Sequence, residues 1–265
     1  MAITTLDQLI AAASQRVGYT KTNTVTTVAA IPFSVFDRNG NPGAGTLAIG
    51  NTANGIVPVA GQNGYPSINS FAGGATGYIN KIEFGSTVAC RISVYDCLFS
   101  AGAYAFNAAT TLASQPSYSS RVLGGTDFSN TEIWIEAVTA FTGNQSIAVT
   151  YTNQSGTTGR TTGTVATGVA PIVNRMLQLP LQAGDTGVQK IESVTSTVST
   201  AGTFNVHVMR RLWTGRVRTA NDGDIHDMLK TGLPQVFDTS AFRYVVYADS
   251  TSSGIPDVHM EIVSG

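Results

Sequence analysis

The most regular feature of the sequence is an alternation of apolar and polar side chains with a period of two. It recurs around residues 82–84, 92–94, 133–137, 147–151, 204–208, 242–246 and 258–262. Successive side chains of a β-strand point to opposite faces, so each segment predicts a strand with one face in a core. Turn-forming residues separate the segments, notably at 37–42, 141–144, 184–187 and 252–256. Many short strands with hardly any helix between them predict a mainly β fold, an antiparallel β-sandwich or a jelly-roll-like arrangement.

One segment near the N-terminus has a helical period instead. Thr5 and Gln8 match a capping box, and Gly18 stands where a glycine commonly ends a helix. Apolar residues between them recur at helical spacing, namely Leu6, Leu9, Ile10, Ala13 and Val17. The pattern predicts a helix of about four turns, which is too short to be stable alone. Its apolar stripe must therefore dock on its own domain or on a neighbouring subunit.

These patterns predict an N-terminal helix and extended arm over residues 1–30, followed by a β-sandwich domain over 31–265. An alternative divides the second part into two sub-domains that meet near 170–175. The length of 265 residues suits either one large all-β domain or two modest ones. Residues 49–77, rich in glycine, asparagine, alanine and proline, predict a long surface loop. A second helical element is expected near 224–230, ended by Gly232 and Pro234.

The glycine-rich segment from Thr150 to Val165 admits two interpretations, a ligand-binding loop or the tip of a β-hairpin. A phosphate-binding loop places a lysine and a helix N-terminus behind its glycines. Here Gly156 and Gly159 are followed by Arg160 and by threonines, whose β-branched side chains favour extended backbone. The segment therefore predicts a hairpin.

Composition points towards an assembly subunit. Only 12% of residues are charged, the net charge is −1 and mean hydropathy is +0.10. A surface this weakly charged suits a subunit that buries much of its outside against partners. No apolar run approaches the roughly 18 residues that a membrane span requires. The N-terminus lacks signal-peptide features, so synthesis in the cytoplasm is expected. The two cysteines, Cys90 and Cys97, form neither a disulfide framework nor a zinc motif.

Two carboxylates flank an aromatic residue at Glu132, Trp134 and Glu136, an arrangement reminiscent of sugar-cleaving sites. Four residues of strand separate the carboxylate-bearing Cα atoms by about 13 Å. The two glycosidase mechanisms use about 5–9.5 Å between carboxyl groups, so hydrolysis is not expected. A sugar-binding surface around Trp134 stays an alternative to a tryptophan that fills a core or an interface.

The one concentrated basic segment is residues 210–218, in which arginines surround Trp213. A strip that binds nucleic acid would have this composition. Asp222, Asp224 and Asp227 follow at once, however, and arginine and tryptophan dominate protein–protein hot spots. Subunit contact is the favoured interpretation, with a solvated face or nucleic-acid contact as alternatives.

No motif predicts an enzyme, a metal site or a cofactor. Residues 222–227 and 37–41 resemble calcium loops for a few positions and then depart from the pattern, which favours loop and cap chemistry. There is no nucleophile elbow, and His207, His226 and His259 lie in unrelated local contexts. His207 and His259 are expected to face outward or to be hydrogen-bonded.

Several segments between residues 130 and 215 resemble structural proteins of tailed bacteriophages. They are Glu132-Ile-Trp-Ile-Glu136, Phe141-Thr-Gly143, Ile147-Ala-Val-Thr-Tyr-Thr-Asn-Gln154, Gly159-Arg160-Thr161 and Asn174-Arg-Met-Leu-Gln-Leu-Pro-Leu-Gln-Ala-Gly-Asp-Thr-Gly187. Such proteins are β-rich and often decorate the head beside the major capsid protein. The resemblance implies a virion component made in the host cytoplasm, and it transfers no functional residue because the shared positions are turns and strands.

The resulting hypothesis is a non-enzymatic, homo-oligomeric protein of the virion head, without cofactor or metal. It would decorate and stabilise the bacteriophage capsid, as a cement protein does, by binding the major capsid protein and copies of itself. Contact with membrane or nucleic acid is not expected. The predicted contact residues are Leu6, Leu9, Ile10, Arg210, Arg211 and Trp213, and replacing both arginines by glutamate is expected to abolish binding without unfolding the protein.

Two alternatives remain. One is a tail, neck or baseplate subunit. The other is a carbohydrate-binding or host-surface-binding module, which predicts that Trp134 or the tyrosines of 49–77 are exposed.

Overall fold

The computed structural model describes residues 3–105, 109–168, 171–196 and 201–265. Over these ranges the chain is mainly β, with two short helices, α1 (Leu6–Ala11) and α2 (Met228–Thr231), and a 3-10 turn at Ser119–Arg121. The strands are β1 (Ala13–Lys21), β2 (Pro32–Ser34), β3 (Gly40–Asn41), β4 (Asn51–Ile56), β5 (Gly77–Ser86), β6 (Cys90–Ala105), β7 (Ala109–Thr111), β8 (Thr131–Thr139), β9 (Ser146–Asn153), β10 (Arg160–Thr161), β11 (Val165–Ala166), β12 (Met176–Leu179), β13 (Val188–Ser196), β14 (Thr203–Val217), β15 (Asp222–His226), β16 (Gln235–Val236), β17 (Phe242–Ala248) and β18 (Pro256–Ser264).

The chain forms two compact units, each assembled from segments distant in sequence. The first comprises Met1–Gly45, Val59–Asp96 and Leu212–Gly265, and the second comprises Thr46–Pro58 and Cys97–Arg211. The predicted division at residue 30 stays a prediction. So does a meeting point of sub-domains near 170–175, of which residue 170 lies outside the described residues.

The first unit contains an antiparallel sheet in the order β15-β5-β18-β1-β3, with β16 also paired to β5. Its inner face packs against strands that include β17, as the contact between the rings of Tyr19 and Tyr244 shows, with centroids 3.9 Å apart. Along β1, Val17, Tyr19 and Lys21 point inward, while the residues between them are less buried. The unit is therefore a sandwich with one solvent-facing sheet surface, as a period of two predicts.

The second unit is also an antiparallel sandwich. A sheet in the order β10-β9-β13-β7 shares one apolar core with β8, β12, β14 and the second half of β6. Residues Ile133, Val149, Ile191 and Val206 from four of these strands are fully or almost fully buried in it. The mainly β, antiparallel fold expected from the sequence is thus confirmed.

The predicted four-turn helix is wrong in its extent. The capping box is present, since Gln8 N–H donates to Thr5 Oγ1 and the Gln8 side chain accepts from the backbone of Thr5, but the helix ends at Ala11. Residues from Ala13 onward form β1, which pairs with β18 over eight positions. Pairing with β18 gives these residues a hydrogen-bonded ladder and buries Val17, Tyr19 and Lys21, and Gly18 lies mid-strand opposite His259.

Other local predictions are confirmed. All seven alternating segments lie in strands. The Thr150–Val165 segment is a hairpin in which Arg160 pairs with Tyr151. Residues 49–76 contain one short strand, β4, and are otherwise irregular, and Gly77 begins β5. Cys90 and Cys97 are free, buried thiols. The second helical element exists, although residues 222–226 before it are a strand.

Candidate interaction surface

Helix α1 exposes most of its apolar side chains. Leu6 is 59% exposed and Ile10 is 74% exposed, Leu9 is half-buried, and no residue of the helix is buried. The capping box fixes where the helix begins, but six residues are too few for stability in water without packing. The predicted contact residues Leu6 and Ile10 are therefore available to a partner.

The predicted basic contact segment does not form one surface. Arg210 is only 7% exposed, while Arg211 points to solvent with a guanidinium nitrogen 3.7 Å from Glu132 Oε1. In the first unit, Trp213 is 5% exposed and its Nε1 donates to Nδ1 of His226 at 2.9 Å. Side chains of adjacent residues on a strand point to opposite faces, which accounts for a buried Arg210 beside an exposed Arg211, and Trp213 is covered within the first unit. Because Arg210 is buried, a glutamate there would destabilise the fold, contrary to the sequence-based expectation.

The outer face of the sheet in the first unit carries a cluster of charged side chains from three strands. Across β1 and β18, Arg16 lies opposite Glu261, Gly18 opposite His259 and Thr20 opposite Asp257. On β5, Lys81 and Glu83 continue the same rows. We call this surface the charged face.

Most charges of this face are already partnered. Glu83 pairs with Lys81 at 2.5 Å, and this bond, with its charge, lowers the pKa of the Glu83 carboxyl. His259 Nε2 lies 3.2 Å from Asp257 Oδ1, which also accepts from the Thr20 hydroxyl. Glu261 accepts from the amide of Asn80 at 2.8 Å. Arg16 has neither a hydrogen bond nor an ion pair of its side chain within the part of the chain that the structure describes.

A polar pocket of about 410 Å³ opens beside Arg16. Its lining comes from three segments, β1 (residues 16–18), the turn after β3 (41–43) and the loop of residues 61–67, which we call the pocket loop. The side chains include three amides, Asn41, Gln62 and Asn63, and no carboxylate. The Arg16 pocket thus combines one cation with neutral hydrogen-bonding groups.

Lys21 holds the segment 36–43, of which residues 41–43 line this pocket. Its buried Nζ donates to the carbonyl oxygens of Arg38, Pro42 and Gly43 at 3.0–3.1 Å, with that of Phe36 at 3.4 Å. An ammonium group has three protons, so it can satisfy several carbonyls of one tight loop at once. Burial lowers the pKa of Lys21 to about 8, with the Asp37 carboxylate opposing the shift.

The pocket loop is held by a bond within it, by a ring contact and by two bonds just beyond its C-terminal end. The side-chain amide of Gln15 donates to the Asn69 carbonyl at 3.0 Å and accepts from its N–H at 2.7 Å. Tyr65 N–H donates to the Gln62 carbonyl at 2.8 Å, and the ring of Tyr65 lies 4.8 Å from that of Phe36. The walls are therefore fixed by contacts within the unit.

A second, acidic groove of about 560 Å³ lies at the edge of the same sheet, lined by Glu83, Asp224, Asp257, His259 and the exposed Ile225. On the edge strand β15, Asp222 and Asp224 accept hydrogen bonds from the backbone N–H groups of the following residues at 2.8 and 2.7 Å. These bonds occupy N–H groups that an added strand would need. The edge is therefore poorly suited to strand addition.

A serine, a histidine and a glutamate meet in the second unit, an arrangement that sequence reasoning missed. His207 Nδ1 lies 2.8 Å from Ser100 Oγ, and its Nε2 lies 3.2 Å from Glu136 Oε2. Asn205 donates to the same carboxylate at 3.2 Å. All four side chains have no solvent exposure, so the serine is presented to no substrate. The cluster is a hydrogen-bonded polar network of the core.

The aromatic residues expected of a sugar site are covered. Trp134 is buried and its Nε1 donates to Glu132 at 2.8 Å, and Tyr65, the tyrosine of the 49–77 region, is also buried. The prediction that one of them is exposed is wrong. An aromatic ring must show a face to stack on a sugar, and neither does.

Two residues of the segment 222–227, which resembles a calcium loop in sequence, have structural roles. Asp227 caps α2 by accepting from the backbone N–H groups of Leu229 and Lys230. His226 accepts from Trp213. Among the described residues, no group of three or more metal-binding side chains comes together. Within the same residues, no helix is long and apolar enough to cross a membrane.

Sequence reasoning did not predict the Arg16 pocket, although it named parts of its lining in other roles: Val17 and Gly18 at the end of the predicted helix, the turn at 37–42 and the loop at 49–77. The sequence does contain one indication of this surface. Along β1, Arg16, Gly18 and Thr20 alternate with the inward-pointing residues and so lie on the outer face. This alternation marks an outer face, but it does not indicate which loop lies over it.

Comparison with known proteins gives little guidance. No family model and no curated protein matches the chain. Among solved structures, T=1 particles derived from infectious bursal virus match with a TM-score of 0.19 and 11% identity, over 95% of this chain and 76% of that one. A VP2 subviral particle of infectious bursal disease virus matches with a TM-score of 0.18 and 11% identity, over 95% and 79%. Such TM-scores are too low to support any inference.

Proposed function

We propose that this chain is a non-enzymatic structural protein of a bacteriophage virion, one that decorates the head and stabilises it by binding the major capsid protein. The observation that carries the proposal is helix α1, whose Leu6 and Ile10 are exposed on a helix too short to be stable in water alone. A partner that covers these side chains would stabilise the helix. The resemblance of residues 130–215 to phage virion proteins suggests the kind of partner.

The chain would stabilise the shell through the area of each contact and through the number of contacts made on a repetitive surface. A standard protein–protein contact buries about 1,600 Å², and several such contacts on a repetitive shell combine into strong avidity. The sparse surface charge favours this use, because few charged groups would have to be desolvated. Copies of the chain on neighbouring capsomers would also contact one another.

Absence of catalysis is part of the proposal. The one constellation of catalytic residue types described above, around His207, is enclosed in the core. Nucleic acid is not a proposed partner either. Arg211 and Arg216 have carboxylates within 3.7 and 3.5 Å, and Arg210 is buried, so the segment offers no continuous cationic strip.

The test uses capsids assembled from the major capsid protein of the same phage. Purified protein is sedimented with them, and the double variant Leu6→Ser/Ile10→Ser is compared with wild type. A matched control is Ile225→Ser/Leu229→Ser, a second exposed apolar pair with the same spacing. We expect at least about a tenfold loss of binding for the first variant and little change for the control. Equal binding by both variants would remove the role of α1.

Location in the virion separates this proposal from its nearest alternative. Antibody labelling of intact virions is read by negative-stain electron microscopy. Label over the icosahedral head supports decoration, whereas label at the neck, tail or baseplate replaces it with an axial structural role. A glycan array tests the carbohydrate-binding alternative independently.

A further inference from the structure

Arg16 differs from Lys81 and His259 of the charged face in having no carboxylate within ion-pair distance among the described residues, although Glu261 lies opposite it in the sheet. Lys81 is bonded to Glu83, and His259 lies beside Asp257. The guanidinium of Arg16 has no hydrogen bond or ion pair among the described residues, although its charge contributes weakly to lowering the pKa of Glu83. Its five N–H donors are thus free for a ligand.

The Arg16 pocket is also the right size for a ligand. Its volume of about 410 Å³ lies within the roughly 300–1,000 Å³ typical of small-molecule sites. The bonds of Lys21 and Gln15 hold its walls in place without any ligand, so binding need not order a loop.

We propose that the Arg16 pocket binds a carboxylate, supplied by an acidic side chain of a partner polypeptide. The guanidinium of Arg16 matches a carboxylate in a two-pronged hydrogen-bonded pair. The amide of Asn41 offers a donor and an acceptor, and the amide nitrogen of Gln62 offers a second donor, while the Gln62 oxygen accepts from Val59 N–H; the peptide groups that flank the acidic side chain require such partners. This inference rests on the proposed function and deepens it, because it names a recognition element for the major capsid protein.

Two other ligand classes fit less well. A phosphate carries more than one negative charge at neutral pH, whereas the lining has a single cation and Glu83 and Glu261 lie nearby on the same face. A neutral sugar would gain from an exposed aromatic ring, but the ring in this pocket, that of Tyr65, is only 7% exposed.

The first experiment is a titration of the full-length, isotope-labelled protein followed by NMR. The probes are N-acetylglutamate amide, its uncharged counterpart N-acetylglutamine amide, and inorganic phosphate. We expect saturable shifts of the pocket-loop amides with the glutamate probe, weakened about tenfold or more in Arg16→Gln. Arg218→Gln is the matched control, because Arg218 is another exposed arginine without a bonded partner in the described residues, and it lies outside the pocket.

The outcomes are decisive in both directions. Equal binding of the glutamate and glutamine probes, or equal loss in both arginine variants, overturns the proposal. Tighter binding of phosphate than of the glutamate probe overturns the choice of a carboxylate. Arg16→Lys retains the charge but not the planar fork, and intermediate affinity in that variant supports the two-pronged pair.

A second measurement identifies the source of the carboxylate. The Arg16→Gln variant is sedimented with capsids, with the glutamate probe as competitor for wild type. Weaker capsid binding by the variant supports a partner side chain. Unchanged capsid binding together with lost probe binding overturns the partner assignment in favour of a free small acid. If wild type fails to bind capsids, the proposed function fails while the titration result stands.

Discussion

Two glycine-rich loops in this protein lie beside an arginine, and they differ in what that arginine meets. In the hairpin of the second unit, Arg160 Nε donates to Asp185 at 2.8 Å, and Gly159 N–H donates to Glu192 at 3.1 Å. At the pocket loop of the first unit, the lining contains no carboxylate and Arg16 is unpaired. In the hairpin, Arg160 is therefore paired with a carboxylate of the same unit, whereas Arg16 at the pocket has no such partner. A glycine-rich loop with an arginine indicates a site only when the counter-ion is missing.

One buried carboxylate, that of Asp185, holds the hairpin together by accepting several hydrogen bonds. Asp185 accepts from Tyr151 and Asn153, both at 2.7 Å, in addition to Arg160. Its side chain is 2% exposed. These bonds, the one from Arg160 first, lower the pKa of Asp185 to about 2. The turn around residue 185 therefore fixes the hairpin rather than serving a ligand.

The strongest test of this difference is a glycine-to-alanine substitution made once in the pocket loop and once in the hairpin. Gly64 and Gly159 both have positive φ, +81° and +69°. A Cβ at Gly64 would lie 2.5 Å from Gly45 Cα and 2.7 Å from the Phe36 ring, whereas one at Gly159 meets nothing within 4 Å. We expect Gly64→Ala to lower the free energy of unfolding by about 3 kcal/mol or more, because the added Cβ both clashes and strains the backbone. Gly159→Ala should lower it by about 1 kcal/mol, because only the backbone is strained there.

The two tryptophans allow this measurement in each unit separately. Trp213 belongs to the first unit and Trp134 to the second. In urea titrations of fluorotryptophan-labelled protein, Gly64→Ala is expected to shift the Trp213 transition most. If the two variants have equal costs, the pocket loop is not packed as described.

Removing the hairpin carboxylate should have the next largest effect. Asp185→Ala leaves Arg160, Tyr151 and Asn153 without their acceptor, so we expect about 2–3 kcal/mol loss in the Trp134 transition. Asp238→Ala is the control, because Asp238 forms no hydrogen bond or ion pair in the described residues, and it should change stability by less than about 0.5 kcal/mol. Equal effects would contradict a special role for Asp185.

The sequence predicted the strands well but not the boundary at residue 12. Ala13 and Val17 are four residues apart, a spacing that fits both a helical stripe and one face of a strand. The deciding interaction is pairing with β18, more than two hundred residues away in the chain. Separation in sequence is also the reason that the surroundings of Arg16 and Arg160 could not be predicted. Arg16 meets a loop some 45 residues later. Arg160 meets Asp185, 25 residues later, after the strands β11 and β12, so neither partner is visible in the local sequence.

Acid should weaken the hairpin in a defined window. The pKa of Asp185 is about 2 in the folded protein against 3.8 for an ordinary carboxyl, so the folded state binds this proton less readily than the unfolded state. Its stabilisation is complete above the unfolded value and is lost as pH falls from about 4 towards 2. We expect this group to contribute on the order of 1–2 kcal/mol between about pH 6 and pH 2. The difference between wild type and Asp185→Ala should shrink by that amount on acidification. A constant difference would contradict the assignment.

The smallest effect should come from supplying the pocket with the acid it lacks. In Gln62→Glu the side-chain oxygen can still accept from Val59 N–H, a bond of 3.3 Å, so the loop is expected to keep its conformation. The new carboxylate shares the pocket with Arg16 and repels an incoming one. Affinity for N-acetylglutamate amide should fall several-fold, which corresponds to about 1 kcal/mol. Gln178→Glu adds the same charge on an exposed strand of the second unit and should leave affinity unchanged. Equal losses in both variants would show that only net charge matters. A loss confined to Gln62→Glu would show that the open pocket has acquired its own counter-ion, as the hairpin has in Asp185.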